Sequence, residues 1–149
     1  MKIAAIILVT LAVLFAVSLV VQNMKTPTHL GHLDGKLAPM PSKPNAVSSQ
    51  SAQDDKKVAA LPYKGTTIET LAAITEVLAK MSNNEVQVQE SNYIYTIFTT
   101  PKMHYHDDVE VLLDDSSQLV HFRSQSRAGY SDMGLNRKRY EKFSELYSL

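Results

Sequence analysis

The sequence predicts an α+β domain, an antiparallel sheet of about four strands packed by two helices, behind a single N-terminal transmembrane helix. Three observations carry that prediction. Residues 3–21 are an apolar run broken only by Thr10 and Ser18. From residue 66 onward the apolar pattern runs at helical period, then alternates, then returns to helical period. The alternating segments are joined by short polar turns, which suits neighbouring antiparallel strands rather than crossovers.

The run at 3–21 is about as long as a helix must be to cross a bilayer core. Lys2 precedes it, and Gln22, Asn23 and Lys25 follow. That bias of positive charge favours a cytoplasmic N-terminus. A cleavable signal peptide is the rival reading, with Ala16-Val17-Ser18 as its cleavage site. Residues 1–22 are therefore read as a transmembrane anchor or signal peptide.

Residues 23–61 are rich in Pro, Ser, Ala, Asp and Lys and read as a tether. Within it Pro39, Pro41 and Pro44 stiffen the backbone, and Asn45-Ala-Val-Ser-Ser-Gln50 is suited to an edge strand. The domain proper is assigned to 62–149. Thr66-Thr-Ile-Glu69 is a capping-box pattern, and Ile68, Leu71, Ala72, Ile74, Val77, Leu78 and Met81 then form one apolar face. Ser82-Asn83-Asn84 offers a left-handed stop. Strands are expected around Val86–Val88, at 93–100, at Val109–Leu113 and at 119–126, the last after a tight Asp114-Asp-Ser-Ser117 turn. Residues 135–149 complete the domain as an amphipathic helix with Tyr140, Phe143, Leu146 and Tyr147 inward.

If Val86, Val88, Ile94, Phe98, Val109, Val111, Val120 and Phe122 face the helices, the other sheet face carries Gln87, Gln89, Tyr93, Tyr95, Glu110, His121, Arg123 and Gln125. Such a face is either a recognition surface or an ordinary wetted one.

Charge and composition exclude several functions. The 149 residues carry 15 basic and 15 acidic side chains, so nothing electrostatic points to nucleic acid. With no cysteine there is no disulfide, thiolate metal site or Cys nucleophile. His104-Tyr-His106-Asp107-Asp108 holds metal-ligand types in five residues, with His104, His106 and Asp108 on one side of an extended strand. A loop leading into a strand explains the same residues. No nucleophile elbow, phosphate loop, dinucleotide fingerprint or haem motif is present, and no cofactor is implied.

The densest chemistry is Arg123-Ser-Gln-Ser-Arg-Ala-Gly-Tyr-Ser-Asp-Met-Gly-Leu-Asn-Arg-Lys-Arg139, at a strand-to-helix junction. A helix N-terminus beside Arg123, Arg127 and Arg137 suits a carboxylate or phosphate, with Ser124, Ser126 and Tyr130 as hydroxyl donors and Ser131 or Asp132 as helix cap. The opposing reading is a buried network of Arg127, Asp132 and Asn136 that ties the helix and the Ser48-Ser49 loop to the sheet.

This motif, with Pro39-Met-Pro-Ser-Lys-Pro-Asn-Ala-Val-Ser-Ser-Gln50, Phe98-Thr-Thr-Pro101 and Asp107-Asp-Val-Glu110, resembles the bacterial and plastid family known as domain of unknown function 1499 over about residues 31–148. The resemblance implies membrane anchoring or export and brings no activity with it. It implies that 37–50 is a signature segment docked on the domain beside the arginine motif, which adds Asn45, Ser48 and Ser49 to the candidate site. Many members resemble Pro-Cys-Pro…Pro-Asn-Cys here, where this chain has Met40 and Ala46. A thiol function is thus absent, and packing must hold the loop.

The functional expectation is a membrane-anchored extracytoplasmic module, non-enzymatic, recognising an anionic ligand or protein partner through Asn45, Ser48, Ser49, Arg123, Ser124, Ser126, Arg127, Tyr130, Asp132, Asn136 and Arg137. A structural subunit of an integral membrane complex is the alternative, with Ala5, Ala12 and Ala16 as a stripe for helix contact. A hydrolase or metal-dependent enzyme comes third. The expected setting is the bacterial inner membrane, single-pass, with the domain periplasmic.

Overall fold

The computed structural model describes residues 2–149. In chain order the elements are α1 (Lys2–Met24), β1 (His32–Leu33), β2 (Lys36–Leu37), β3 (Ala46–Ser48), a short 3-10 turn (Asp54–Lys56), β4 (Leu61–Pro62), α2 (Thr67–Lys80), β5 (Asn84–Gln89), β6 (Tyr93–Thr99), β7 (His106–Asp114), β8 (Leu119–Ser126) and α3 (Leu135–Ser148). α1 is long and apolar enough to cross a membrane, and a signal sequence meets the same test. None of its residues is buried against the domain.

The sheet has six strands rather than about four. β5 to β8 form an antiparallel meander, and the outer edge of β8 is occupied twice. β3 pairs with residues 123–125 and β4 with 119–120. Two short pieces thus protect an edge that would otherwise present unpaired backbone groups. β3 falls within residues 45–50, the segment expected to add an edge strand, whereas β4 escaped the sequence pattern because a strand of two residues carries no periodicity.

α2 begins as its sequence dictates. The Thr66 hydroxyl accepts from the Glu69 amide while the Glu69 carboxylate accepts from the Thr66 amide, the reciprocal capping box. Asn83 takes the left-handed conformation, with φ of 61°, between α2 and β5. Ile68 departs from its expected inward position and is exposed. It sits in the first helical turn, beyond the edge of the apolar face that Ile74, Val77 and Leu78 bury.

α2 and α3 cover one face of the sheet. Ile74, Val77 and Leu78 from α2 and Tyr140, Phe143 and Tyr147 from α3 pack on Ile94, Phe98, Val109, Val111, Val120 and Phe122. Phe122 and Phe143 meet at 5.1 Å between ring centroids, within the range of favourable aromatic pairs. Val86 and Val88 do not join them together, because a β-bulge separates the two. Val86 lies opposite Thr96 and Val88 opposite Tyr95, so the extra residue Gln87 throws the valines onto opposite faces.

The second sheet face is covered as well. The chain leaving α1 folds back as the β1–β2 hairpin, and Leu37 and Leu30 pack on Tyr93, Tyr95 and Leu112. Tyr93, Tyr95, Glu110 and Arg123, placed by sequence on an open face, are buried. A run of residues with tether-like composition supplies the cover, which is why composition alone misses it.

Candidate functional site

The arginine motif and the acidic strand β7 meet across the sheet. Along β7, Asp108 and Glu110 point to the hairpin face and Asp107 to the helix face, as strand alternation requires. Each carboxylate holds one arginine. Arg123 stands directly opposite Glu110 in the β7–β8 ladder, and its guanidinium bonds the carboxylate at 2.8 Å with both side chains fully buried. Glu110 also accepts from the Tyr93 hydroxyl and the Gly31 amide, both at 2.7 Å. The other terminal nitrogen of Arg123 reaches Gln125 Oε1 and, at 3.1 Å, His29 Nε2.

Arg127 forms the second pair. Its Nε bonds the two Asp108 oxygens at 3.1 and 3.0 Å, and a terminal nitrogen bonds Oδ1 at 2.8 Å. The Tyr95 hydroxyl donates to Asp108 at 2.6 Å and accepts from Arg127 at 2.9 Å. Burial works against the Arg127 charge, but Asp108 and Tyr95 outweigh it and its pKa rises.

On the helix face Arg139 pairs with Asp107 at 2.5 Å and lies over the Phe98 ring, 4.8 Å from its centroid. Arg139 also donates to Ser124 Oγ and Asn136 Oδ1. Asn136, fully buried, accepts from the Ser124 hydroxyl and donates to the Asn45 carbonyl, the Ser126 hydroxyl and Asp132. Asp132 accepts from the Asn136 amide at 2.7 Å and from the Gly134 amide at 3.0 Å. This acid caps α3 from outside it, and Gly134, at φ of 80°, makes the left-handed entry.

Signature residues 45–51 dock on this frame. Asn45 Nδ2 donates to the carbonyls of Ser126 and Gly129, each at 3.3 Å. Ser49 Oγ accepts from the Phe122 amide and lies 3.2 Å from His121 Nδ1. Burial lowers the His121 pKa, with Asp114 opposing. Ser48 Oγ accepts from the Gln50 amide. Lys56, itself buried, donates from Nζ to the Pro41 carbonyl. These bonds hold the loop that contains Met40 and Ala46.

The sequence-derived site residues therefore separate. Asn45, Ser124, Ser126, Asp132 and Asn136 come together on the helix side of the sheet. Arg127 does not join Asp132 and Asn136 as the network reading expected. It lies on the hairpin side with Asp108, because two residues of alternation separate it from Gln125 and Arg123 on that face. Arg137 donates to the backbone carbonyls of Asp55 and Lys57. Tyr130 is exposed. Arg123, Arg127 and Arg139 all have carboxylate partners, so their charges are already balanced.

Asp107, Asp108, Glu110, Arg139, Tyr93 and Tyr95 belong to the frame although the sequence reading left them out of the site. Three acids in the middle of a strand were the available signal, since unpaired charges are rarely buried. The His104–Asp108 cluster is also dispersed. His104 sits in a turn at φ of 51°, His106 Nδ1 meets the Asn23 carbonyl, and Asp107 and Asp108 serve different arginines on opposite faces. Among the described residues no group of three His, Cys, Asp or Glu side chains is placed to hold a metal.

The frame has a pH signature. Burial first, then Glu110, pushes the Tyr93 phenol above its ordinary 10.0, and burial with Asp108 raises Tyr95 in the same direction. An unfolded chain loses these protons near pH 10 while the folded protein still holds them. Stability is then complete below about pH 10 and declines as pH rises beyond it. Melting temperature against pH is expected to bend downward there, and a Tyr93→Phe/Tyr95→Phe variant to bend less.

An apolar helix meeting the requirements of a membrane span, joined to an α+β domain tied by three buried arginine–carboxylate pairs, defines the class of protein. Within that class the chain belongs to the family described as protein of unknown function DUF1499, which matches residues 36–146. No curated protein matches the chain.

Proposed function

We propose that this chain is a non-enzymatic accessory module, held by a retained α1 on the outer face of the cytoplasmic membrane, where it engages a protein partner. The observation that carries this reading is the commitment of the motif. Arg123, Arg127 and Arg139 are paired with buried acids, and Asn136 gathers α3, β8 and the signature segment into one network. Residues spent in this way shape and stiffen a surface, which suits a component of a larger assembly. Asn23, at the end of α1, adds to this. Its side chain bonds the His106 amide at 2.7 Å and the His104 carbonyl at 2.8 Å, so the helix meets the domain without a free spacer.

Recognition of an anionic ligand is the second reading, and one feature favours it. Arg123 Nε is buried without an acceptor. An anion reaching it must displace the segment leading into the β1–β2 hairpin, whose His29 and Gly31 bond the Arg123–Glu110 pair.

The test is the native mass of full-length protein extracted in mild detergent. A retained helix and a stoichiometric integral-membrane partner are expected. A mature chain lacking residues 3–21, or a bare monomer at native expression level, would sink the accessory reading.

A further inference from the structure

The end of the domain that receives α1 has a composition of its own. The residue after the apolar run, Gln22, is followed by Asn23, whose hydrogen bonds fix it to the β6–β7 turn at His104 and His106. Val21 and Asn23 are two residues apart on a helix, about 3 Å along its axis. The headgroup layer adds about 5–8 Å on each side of the hydrocarbon core. A spanning α1 therefore leaves this turn no room to stand clear of the membrane.

The same end gathers the turn between β6 and β7 and the loop between β8 and α3. Thr99, Thr100 and Pro101 line one cavity of about 280 Å³ with Met81 and Leu135, and Lys43 Nζ reaches the Gly129 carbonyl. From these loops project Met103, 66% exposed, Tyr130, 73%, and Met133, 92%. Side chains of that kind held in water cost free energy that a lipid interface removes, and tyrosine is a usual resident of that layer. Lys25, Lys43 and Lys102 stand exposed around them. At the opposite end of the sheet the turns carry Glu90, Asp114 and Asp115. Lysines beside the membrane and acids away from it match the field of an anionic surface, which attracts juxtamembrane bases.

We infer that the loops bearing Met103, Tyr130 and Met133 are a second membrane contact, seated in the headgroup layer of the bilayer that α1 crosses and favouring anionic lipid. The inference rests on α1 being retained in the membrane, the anchoring part of the proposed function. It assigns the domain one orientation, with the acidic turns outward and the sheet edges facing sideways.

The absence of cysteine from the natural sequence makes the test direct. Single substitutions Leu11→Cys, Ser91→Cys, Met103→Cys and Met133→Cys in the full chain would each carry an environment-sensitive fluorophore. The labelled proteins would be reconstituted into phosphatidylcholine vesicles with or without phosphatidylglycerol. All four sites are exposed, so none depends on repacking the core. Expected are blue-shifted emission and quenching by lipid-borne spin labels at positions 11, 103 and 133. Position 91, in the outward β5–β6 turn, should stay water-like. The shifts at 103 and 133 should grow with phosphatidylglycerol and shrink in a Lys25→Gln/Lys102→Gln background. Lipid contact at 11 with water-like spectra at 103 and 133 overturns the inference while leaving the anchor intact. A water-like spectrum at 11 overturns both. Equal shifts in the two vesicle types remove the anionic preference.

Discussion

Arg123→Ala is expected to destabilise the domain by about 3–5 kcal/mol, the usual cost of stranding one member of a buried ion pair. Such a loss is a large share of the total stability of a domain, about 5–15 kcal/mol. The partner left behind is Glu110, fully buried between strands. Its remaining donors, the Tyr93 hydroxyl and the Gly31 amide, are neutral and do not replace a guanidinium. Replacing both charges, as Arg123→Met/Glu110→Met, removes the stranded carboxylate and should cost less than the single change. That inequality separates a structural pair from a site kept for binding. Urea unfolding in detergent supplies the measurement. With seven tyrosines and no tryptophan, near-ultraviolet circular dichroism of the tyrosines follows the domain while α1 stays silent. A loss under about 1 kcal/mol for Arg123→Ala would mean that water reaches Glu110, and the frame would not be the buried network described above.

Much of this architecture could be read from the chain, because its helices and long strands obey local rules. The Thr66 capping box, the α2 core face and the alternation along β7 and β8 all depend on near neighbours. What escaped depends on distant ones. The bulge at Gln87 is one inserted residue, invisible to a period count, yet it reverses the face of Val88. The hairpin that covers Tyr93 and Tyr95 comes from a segment whose composition resembles a linker, and it is ordered by contact with the sheet.

The site was legible in part for the same reason. Its hydroxyls, amides and arginines stand together in one motif, whereas their acidic partners lie on another strand. Register would have supplied the link. The turn after Asp114 sets Asp114 opposite Leu119, and equal steps back along both strands set Glu110 opposite Arg123. Arg139 was harder, since it reaches Asp107 from the second turn of a helix on the other face. Sheet register says nothing about that.

Asn136→Leu is the second substitution with a large expected effect, and it tests the helix side of the frame. The two side chains share a four-atom skeleton branched at Cγ, so the shape is kept, with leucine the bulkier, while every side-chain hydrogen bond is lost. Asn136 serves five groups at once: the Asn45 carbonyl, the hydroxyls of Ser124 and Ser126, Asp132 and Arg139. Each buried group left without a partner costs about 1–3 kcal/mol. Asp132 keeps the backbone amides of Gly134 and Asn136, Arg139 keeps Asp107, and the Asn45 carbonyl keeps the Ser126 amide, so those three are spared. The Ser126 hydroxyl loses its donor and the Ser124 hydroxyl its acceptor, which puts the effect at about 2–6 kcal/mol on the same scale. The damage should be local before it is global, because the Asn45 carbonyl belongs to the signature segment. Amide exchange at Ser49 and Ser126, whose donors bond the Phe122 and Asn45 carbonyls, is expected to speed up well before exchange in the β6–β7 ladder. Uniform acceleration across the sheet would instead show that 45–51 has no separate docking equilibrium and that the frame unfolds as one unit.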